Sequence, residues 1–304
     1  MTAATAAPVR EAGRTEPRPG RRPARRSRLV SRTDRILSAV LTTVIALGAL
    51  VMIGPFIWLF VATTHNTADI FSSPPALLPG GRFWDNLTGL LQSVQFGDAI
   101  RNSLVVSVTY TVLGLIVCSS AGYAFAKFRF PGRNLMFGLL IASLALPGQV
   151  TLVPLFKIMV QLGWLNSYQA QIVPDLALPF GIFLMRQAMQ AVPDELLQAG
   201  RVDGAGEFRI FFRIVLPTMK PSLAALAIFL FLARWNDFVY PLIIQRTPDA
   251  YTLPVALATL RGIGTTDYGQ LLTGTFLSIL PVLAMFLFLQ RYFVAGLLGG
   301  SVKQ

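Results

Sequence analysis

Apolar residues fall in six blocks along the chain, at about 36–62, 101–126, 134–158, 170–191, 219–245 and 269–290, with shorter polar stretches between them. Each block is close to the roughly 20 residues an α-helix needs to cross a bilayer. The pattern therefore predicts an all-α integral membrane protein with six transmembrane helices. Pro147, Pro154, Pro174 and Pro179 interrupt the third and fourth blocks. Proline removes a backbone donor and crowds the preceding turn, and lipid offers no replacement partner. Broken helices of this kind are expected in a bundle that lines a pathway, where a neighbouring helix or water satisfies the freed carbonyls.

Composition agrees with the pattern. Of 304 residues, 54% are hydrophobic and 13% charged, with a mean hydropathy of +0.59. A water-soluble protein needs roughly a quarter of its residues charged to cover its surface, so that class is excluded. One cysteine, Cys118, and one histidine, His65, rule out an intrachain disulfide and any zinc or haem site built from two such residues. The spans hold no cluster of histidines, cysteines or carboxylates, so no catalytic or metal-ligating residue is assigned and a membrane enzyme is disfavoured. Cys118 reads as a small buried apolar residue, and His65 as an interfacial hydrogen-bonding group.

The formal net charge is +12, and ten of the 26 basic residues are arginines within the first 35 positions. This stretch is too poor in large apolar side chains to offset its ordering entropy, which predicts a disordered basic tail over 1–35 ahead of a membrane domain over 36–304. Its placement beside the first span favours contact with anionic lipid rather than with nucleic acid. The apolar block that follows is far longer than a signal-peptide core, so it is read as a span. With six spans both termini share one side. The loops on that side carry ten further lysines and arginines against five on the other, which puts the termini, a loop over 192–218 and a tail over 291–304 in the cytoplasm.

The stretch from Asp194 to Arg213 carries seven charges and must lie outside the hydrocarbon. Pro193, Asp194 and Glu195 form a helix start, with carboxylates at the positive end of the dipole. Gly200 and Gly204, four apart with Ala199 beside them, predict a smooth helix face that another protein's backbone can approach. Gly204 and Gly206 then predict a turn into a second short helix that ends before Pro217.

At these positions the chain resembles the membrane-spanning permeases of ABC importers. Their cytoplasmic loop carries Glu-Ala-Ala, three residues, Gly, nine residues, then Ile-x-Leu-Pro. Here the corresponding residues are Gln198-Ala199-Gly200, Gly204 and Ile214-Val215-Leu216-Pro217. The resemblance extends over roughly 85–304 and is closest to the shorter permease subunit of maltose-type carbohydrate importers. It includes Asn102-Ser103-Leu104, the run from Ala121 to Ala126, Phe130-Pro131-Gly132-Arg133, Pro147 to Val150, Trp235-Asn236-Asp237-Phe238 and Gln290 to Phe293.

The resemblance implies a type I ABC importer fold in the cell membrane of a prokaryote. It implies a heterodimer with a second permease, two cytoplasmic ATPase subunits and an extracytoplasmic solute-binding protein. Gln198, Ala199, Gly200, Asp203, Gly204, Ala205, Ile214, Leu216 and Pro217 would form the coupling element that fits a cleft on the ATPase, with Gln198 replacing the family's glutamate. No cofactor is assigned to this chain; ATP and Mg would be used by the ATPase. The sequence itself contains no Gly-Lys dipeptide from which a phosphate-cradling loop could be made.

Deep in a span, Arg234 and Asp237 stand three apart, a spacing at which they can pair on one helix face. With Trp235 and Asn236 they suit either a sugar-contacting or gating element, or an ion pair that fixes helix packing. Asp175, Gln149 and Gln187 are weaker candidates of the same kind. The outward segment 247–267 is expected to reach the solute-binding protein or to serve as slack between helices. A self-contained channel or ion-coupled transporter is the alternative function, and it would need more membrane-embedded ionisable groups than the chain offers.

Overall fold

The computed structural model describes residues 32–262 and 266–301, and every regular element among them is a helix. The tail expected over 1–35 lies outside the described residues up to position 31. The chain divides into two units, residues 1–54 and 55–304. The described part of the first belongs to α1 (Arg32–Ala62), whose side chains are all exposed from Ile36 to Ile53. An apolar helix exposed on every side is matched to lipid or to another membrane helix rather than to water.

In the second unit α1 ends in a polar turn. Asn66 caps the short α2 (Thr67–Ile70) by accepting from the Asp69 amide at 2.8 Å, and α3 (Phe83–Ser93) follows. The Asn86 Nδ2 of α3 donates to the carbonyls of Thr63 at 2.8 Å and His65 at 2.9 Å, which ties α3 to the end of α1. The longest early helix is α4 (Phe96–Lys127), with 32 residues. Gly132, at φ 79°, turns the chain into α5 (Arg133–Ser143).

After Pro147 a 3₁₀ turn leads into α6 (Leu152–Gln161), at 96° to α5. Next come α7 (Tyr168–Ile172) and α8 (Pro179–Gln190), separated by the turn at 173–178. Pro179 occupies the first position of α8, where no amide donor is required.

Beyond α8 lie α9 (Asp194–Val202), α10 (Glu207–Ile210), one π turn over Phe211–Val215 and α11 (Leu216–Thr218). The chain then bends by 86° at Met219 into α12 (Lys220–Trp235). The second helix of the polar segment therefore passes through Pro217, contrary to the expected stop before it. The bend falls instead where Pro221 can sit in the first turn of α12. The remaining helices are α13 (Val239–Ile244), α14 (Leu253–Thr259) and α15 (Tyr268–Ser301).

The core forms where α4 meets α8 and α12. Helix association in lipid relies on close backbone approach at small residues. A Cβ added to Gly122 would stand 2.7 Å from the Met185 Cβ, and one added to Gly181 would stand 2.8 Å from Cys118 Sγ. Gly114 likewise lies against Leu230 of α12. Cys118, Met185, Leu226 and Leu230 are fully enclosed there.

Three single helices are long and apolar enough to cross a membrane, Ile36–Ala62, Phe96–Lys127 and Tyr268–Tyr292, and two bent pairs raise the count to five. The expected six is not reached among the described residues, because the block at 170–191 is not one helix. Leu178 is extended before Pro179, and α8 has only 12 residues, about 18 Å of rise. At the other end α15 runs helical to Ser301, so the tail expected from position 291 begins as helix.

Candidate functional site: a polar ledge and a membrane-embedded charge cluster

The ledge starts at a salt bridge. Lys127, the last residue of α4, directs its Nζ to Asp194 Oδ1 at 2.7 Å and to the Val192 carbonyl at 2.5 Å. Its side chain is only 6% exposed, so the contact pins the start of α9 to the end of α4. The hydrogen bond and charge of Lys127 hold the Asp194 carboxyl below its ordinary value.

Helix α9 closes with Gly204 in the left-handed region at φ 77°. The Gly204 amide donates to the Arg201 carbonyl at 3.0 Å, and the Ala205 amide to the Gly200 carbonyl at 2.9 Å. These are the two bonds of a Schellman cap. Across the turn, Arg201 Nε meets Glu207 Oε1 at 2.7 Å, and the Tyr123 hydroxyl donates to Glu207 Oε2 at 3.3 Å. The Arg201 hydrogen bond keeps the Glu207 carboxyl below its usual range.

This geometry corrects the expected docking face. Gly200 is buried, and a Cβ there would lie 3.0 Å from Ile214 Cδ1 and 3.2 Å from Ile210 Cγ1. Gly204 is the cap beyond the helix and not a member of its face. Gly200 therefore lets the two halves of the ledge pack on each other, with Leu197, Ile210, Phe211 and Val215 enclosed on the same inner side. Ile214 and Leu216 also pack inward, and Ala205 is half-buried beside them.

Of the expected coupling residues Gln198, Ala199, Asp203 and Gly204 are exposed, and among the exposed apolar side chains that sequence reasoning missed Val202 at 87% and Phe208 at 83% stand out furthest. Pro217 is exposed at the far end of the ledge. Large apolar groups standing free beside a polar, charged segment are the available signal for a contact surface.

The second feature centres on Arg234, near the end of α12, whose side chain is 8% exposed. Its Nη1 donates to Asp237 Oδ2 at 2.9 Å, which is the expected pairing at a spacing of three. Its Nη2 donates to Asp175 Oδ2 at 2.6 Å, from the turn between α7 and α8. The guanidinium also lies over the Tyr110 ring of α4, 4.4 Å from its centroid, and Nε is enclosed without a partner. Three elements thus converge on one cation. Asp175 moves from a weak candidate to a direct partner; the sequence signal was a carboxylate beside a proline inside an apolar block. Gln149 and Gln187 are exposed, on the 3₁₀ turn and on α8.

The other members of the motif part company. Trp235 is 3% exposed, stacks on Phe231 with centroids 5.5 Å apart, and donates from Nε1 to the Ser278 carbonyl at 3.1 Å. It packs α12 against α15 and also lines a cavity with Asn236, Phe238, Leu257 and Arg261. Asn236 is exposed in the break before α13.

On the opposite side from the ledge, the Asn102-Ser103 pair organises the segment expected as a loop. Asn102 Nδ2 donates to the carbonyls of Asp249 at 2.8 Å and Tyr251 at 3.1 Å, while Ser103 Oγ accepts from the Leu253 amide at 2.7 Å. Asn166 Oδ1 accepts from the Arg246 amide at 2.7 Å. Residues 246–259 are therefore a fixed, partly helical platform with Leu253, Val255 and Ala256 buried, which excludes slack for that part; residues 263–265 lie outside the described residues. Among the described residues no group of three or more metal-ligating side chains occurs.

Comparison with known proteins places these features in a family. The model of the binding-protein-dependent transport system inner membrane component matches residues 111–298. The arabinooligosaccharides transport system permease protein AraQ of Halalkalibacterium halodurans is 38% identical, over 90% of this chain and 99% of that protein. The lactose transport system permease protein LacG of Rhizobium radiobacter is 36% identical, over 88% of this chain and 97% of its own length. The sn-glycerol-3-phosphate transport system permease protein UgpE of Yersinia enterocolitica is also 36% identical, over 83% and 92%. Among solved structures, a bacterial ABC transporter involved in the import of the acidic polysaccharide alginate shares the fold. Its TM-score is 0.74 at 23% identity, covering 86% of this chain and 98% of that one.

Proposed function

The chain belongs to the family of binding-protein-dependent transport system inner membrane components, and from that premise we propose that it is the non-catalytic permease subunit of an ATP-driven importer. Its solute is a sugar or a related polyhydroxylated molecule, and the chain forms half of the translocation pathway. A second, homologous permease forms the other half. Two ATPase subunits bind ATP and Mg on the cytoplasmic side, and a solute-binding protein delivers the solute from outside.

The observation that carries the coupling role is the ledge over 194–218: braced by Lys127–Asp194 and Arg201–Glu207, packed on its inner face, and apolar at Val202 and Phe208 where it faces out. A braced element can transmit a push to α12 across the bend at Met219, whereas a loose loop would absorb it. In this reading Gln198, Ala199, Val202, Asp203, Gly204 and Phe208 meet the ATPase. ATP-driven closure moves the ledge as a lever and opens the pathway outward. The excess of basic residues on the ledge side supports a cytoplasmic location for it and for both termini. The Arg234 cluster belongs to the pathway in this reading, since ionisable groups inside a membrane face a protein interior or a water-filled cavity.

Reconstitution in liposomes tests the proposal. The assembled complex with its binding protein is expected to take up solute only with ATP inside. This chain alone is expected to carry none; flux through the isolated chain would support the channel alternative and overturn the importer. The relatives' names span neutral sugars and a phosphorylated polyol, so the charge of the solute has to be argued from this chain's own residues.

A further inference from the structure

We infer that Asp175 gives the pathway face of this subunit a charge preference, favouring neutral and cationic hydroxylated solutes over anionic ones such as a sugar phosphate or a uronate. The inference rests on the pathway reading of the Arg234 cluster. Its basis is the order in which the charges are layered. Arg234 is the buried member at 8% side-chain exposure, Asp237 is intermediate at 21%, and Asp175 is half exposed at 52%. The two terminal nitrogens of the guanidinium are each engaged by a different carboxylate, at 2.6 and 2.9 Å. An approaching anion therefore meets a half-exposed carboxylate first, while the arginine lies behind it at 8% exposure with each terminal nitrogen turned to a carboxylate. With one guanidinium against two carboxylates, the formal charge of the cluster is −1.

The position makes this charge matter. Helix α12 rises about 24 Å over its 16 residues before reaching the cluster, and Tyr110 lies near the middle of α4. The cluster is thus inside the roughly 30 Å hydrocarbon layer. An exposed carboxylate at that depth is turned to protein or water and not to lipid. The field of a charge is weakly screened there, so one carboxylate discriminates between ions more strongly than it would at a surface. Neutral polyols are not repelled, and their hydroxyls can donate to the exposed carboxylate oxygens.

The test uses the assembled importer in liposomes, with Cys118→Ala as background and a reporter thiol at Ala177→Cys. Ala177 is exposed and two residues from Asp175, within about 7 Å along any backbone path. Modification rates are measured with an anionic (sulfonatoethyl), a cationic (trimethylammonioethyl) and a neutral (methyl) methanethiosulfonate, each divided by its rate with a free thiol in solution. The expected result is a cation-over-anion preference of about tenfold or more. Asp175→Asn should collapse it, Asp175→Glu should keep it, and the neutral reagent should react equally in all three. A preference absent from the parent, or unchanged by Asp175→Asn, overturns the charge assignment while leaving the pathway reading intact. No modification of Ala177→Cys by any reagent overturns the pathway reading and the inference with it.

Discussion

Gly200 of α9 packs against Ile214 of the second ledge helix, so closely that a Cβ on the glycine would stand 3.0 Å from Ile214 Cδ1. The contact fixes the angle between the two helices that must move together. Gly200→Val should overpack it by about 1–3 kcal/mol, lowering the thermal midpoint of the complex and uncoupling ATP hydrolysis from uptake. Ile214→Ala, added to Gly200→Val, should restore part of both. A neutral Gly200→Val would contradict the inward placement.

Gly204 tests the other side of the turn. Apart from its two chain neighbours, no residue comes within 4 Å of the position its Cβ would take, so the penalty for a side chain is φ 77°. Gly204→Ala should cost about 1–2 kcal/mol of ledge stability. Gly204→Asn should cost less, because asparagine tolerates the left-handed region. Equal losses for the two, measured by thermal unfolding, would point to a contact rather than to backbone strain.

These two glycines also mark how far the sequence could be read. Helical composition, the long apolar helices at α1, α4 and α15, the helix start at Pro193 and the Arg234–Asp237 pair were all legible, because each is a local matter of spacing, capping or hydropathy. Gly200 and Gly204 look equivalent at a spacing of four. Only the left-handed turn at Gly204 reveals that the helix has already ended, and only the return of Ile214 shows which way Gly200 faces. The pairing of Asp175 with Arg234 and the bond from Trp235 to Ser278 were not legible for the same reason. The partners, on α12 and α15, are 59 and 43 residues away along the chain, and no local pattern reports such contacts.

Arg234→Gln would leave Asp175 and Asp237 without their cation inside the membrane. The expected cost is about 3–5 kcal/mol, seen as a loss of folded, monodisperse complex. Trp235→Phe removes the Nε1 bond to the Ser278 carbonyl, at about 1 kcal/mol, and adds the cost of the space left by the larger indole. It should lower the thermal midpoint while leaving solute selectivity unchanged; altered selectivity would return Trp235 to the pathway.

The ledge's two braces predict a pH profile. The Asp194 and Glu207 carboxyls are both held below their ordinary values by Lys127 and Arg201. Groups depressed in this way stabilise the fold fully above their unfolded values, near 4. That contribution is lost as pH falls through the lower folded values. The braces are therefore complete at neutral pH. Solute transported per ATP hydrolysed should stay flat from pH 8 to about pH 5, and Glu207→Gln should lower it across that range. A wild-type decline between pH 8 and 6 that Glu207→Gln abolishes would contradict the assignment.

The central claim is that the ledge is where this subunit receives work from the ATPase, and site-specific photocrosslinking at Val202, its most exposed large apolar side chain at 87%, tests it most directly. In the assembled importer, a photoreactive residue at position 202 is predicted to give a covalent adduct with the ATPase subunit, in a complex that still takes up solute. A complex that transports normally while position 202 links only to lipid, or to nothing, would contradict the account.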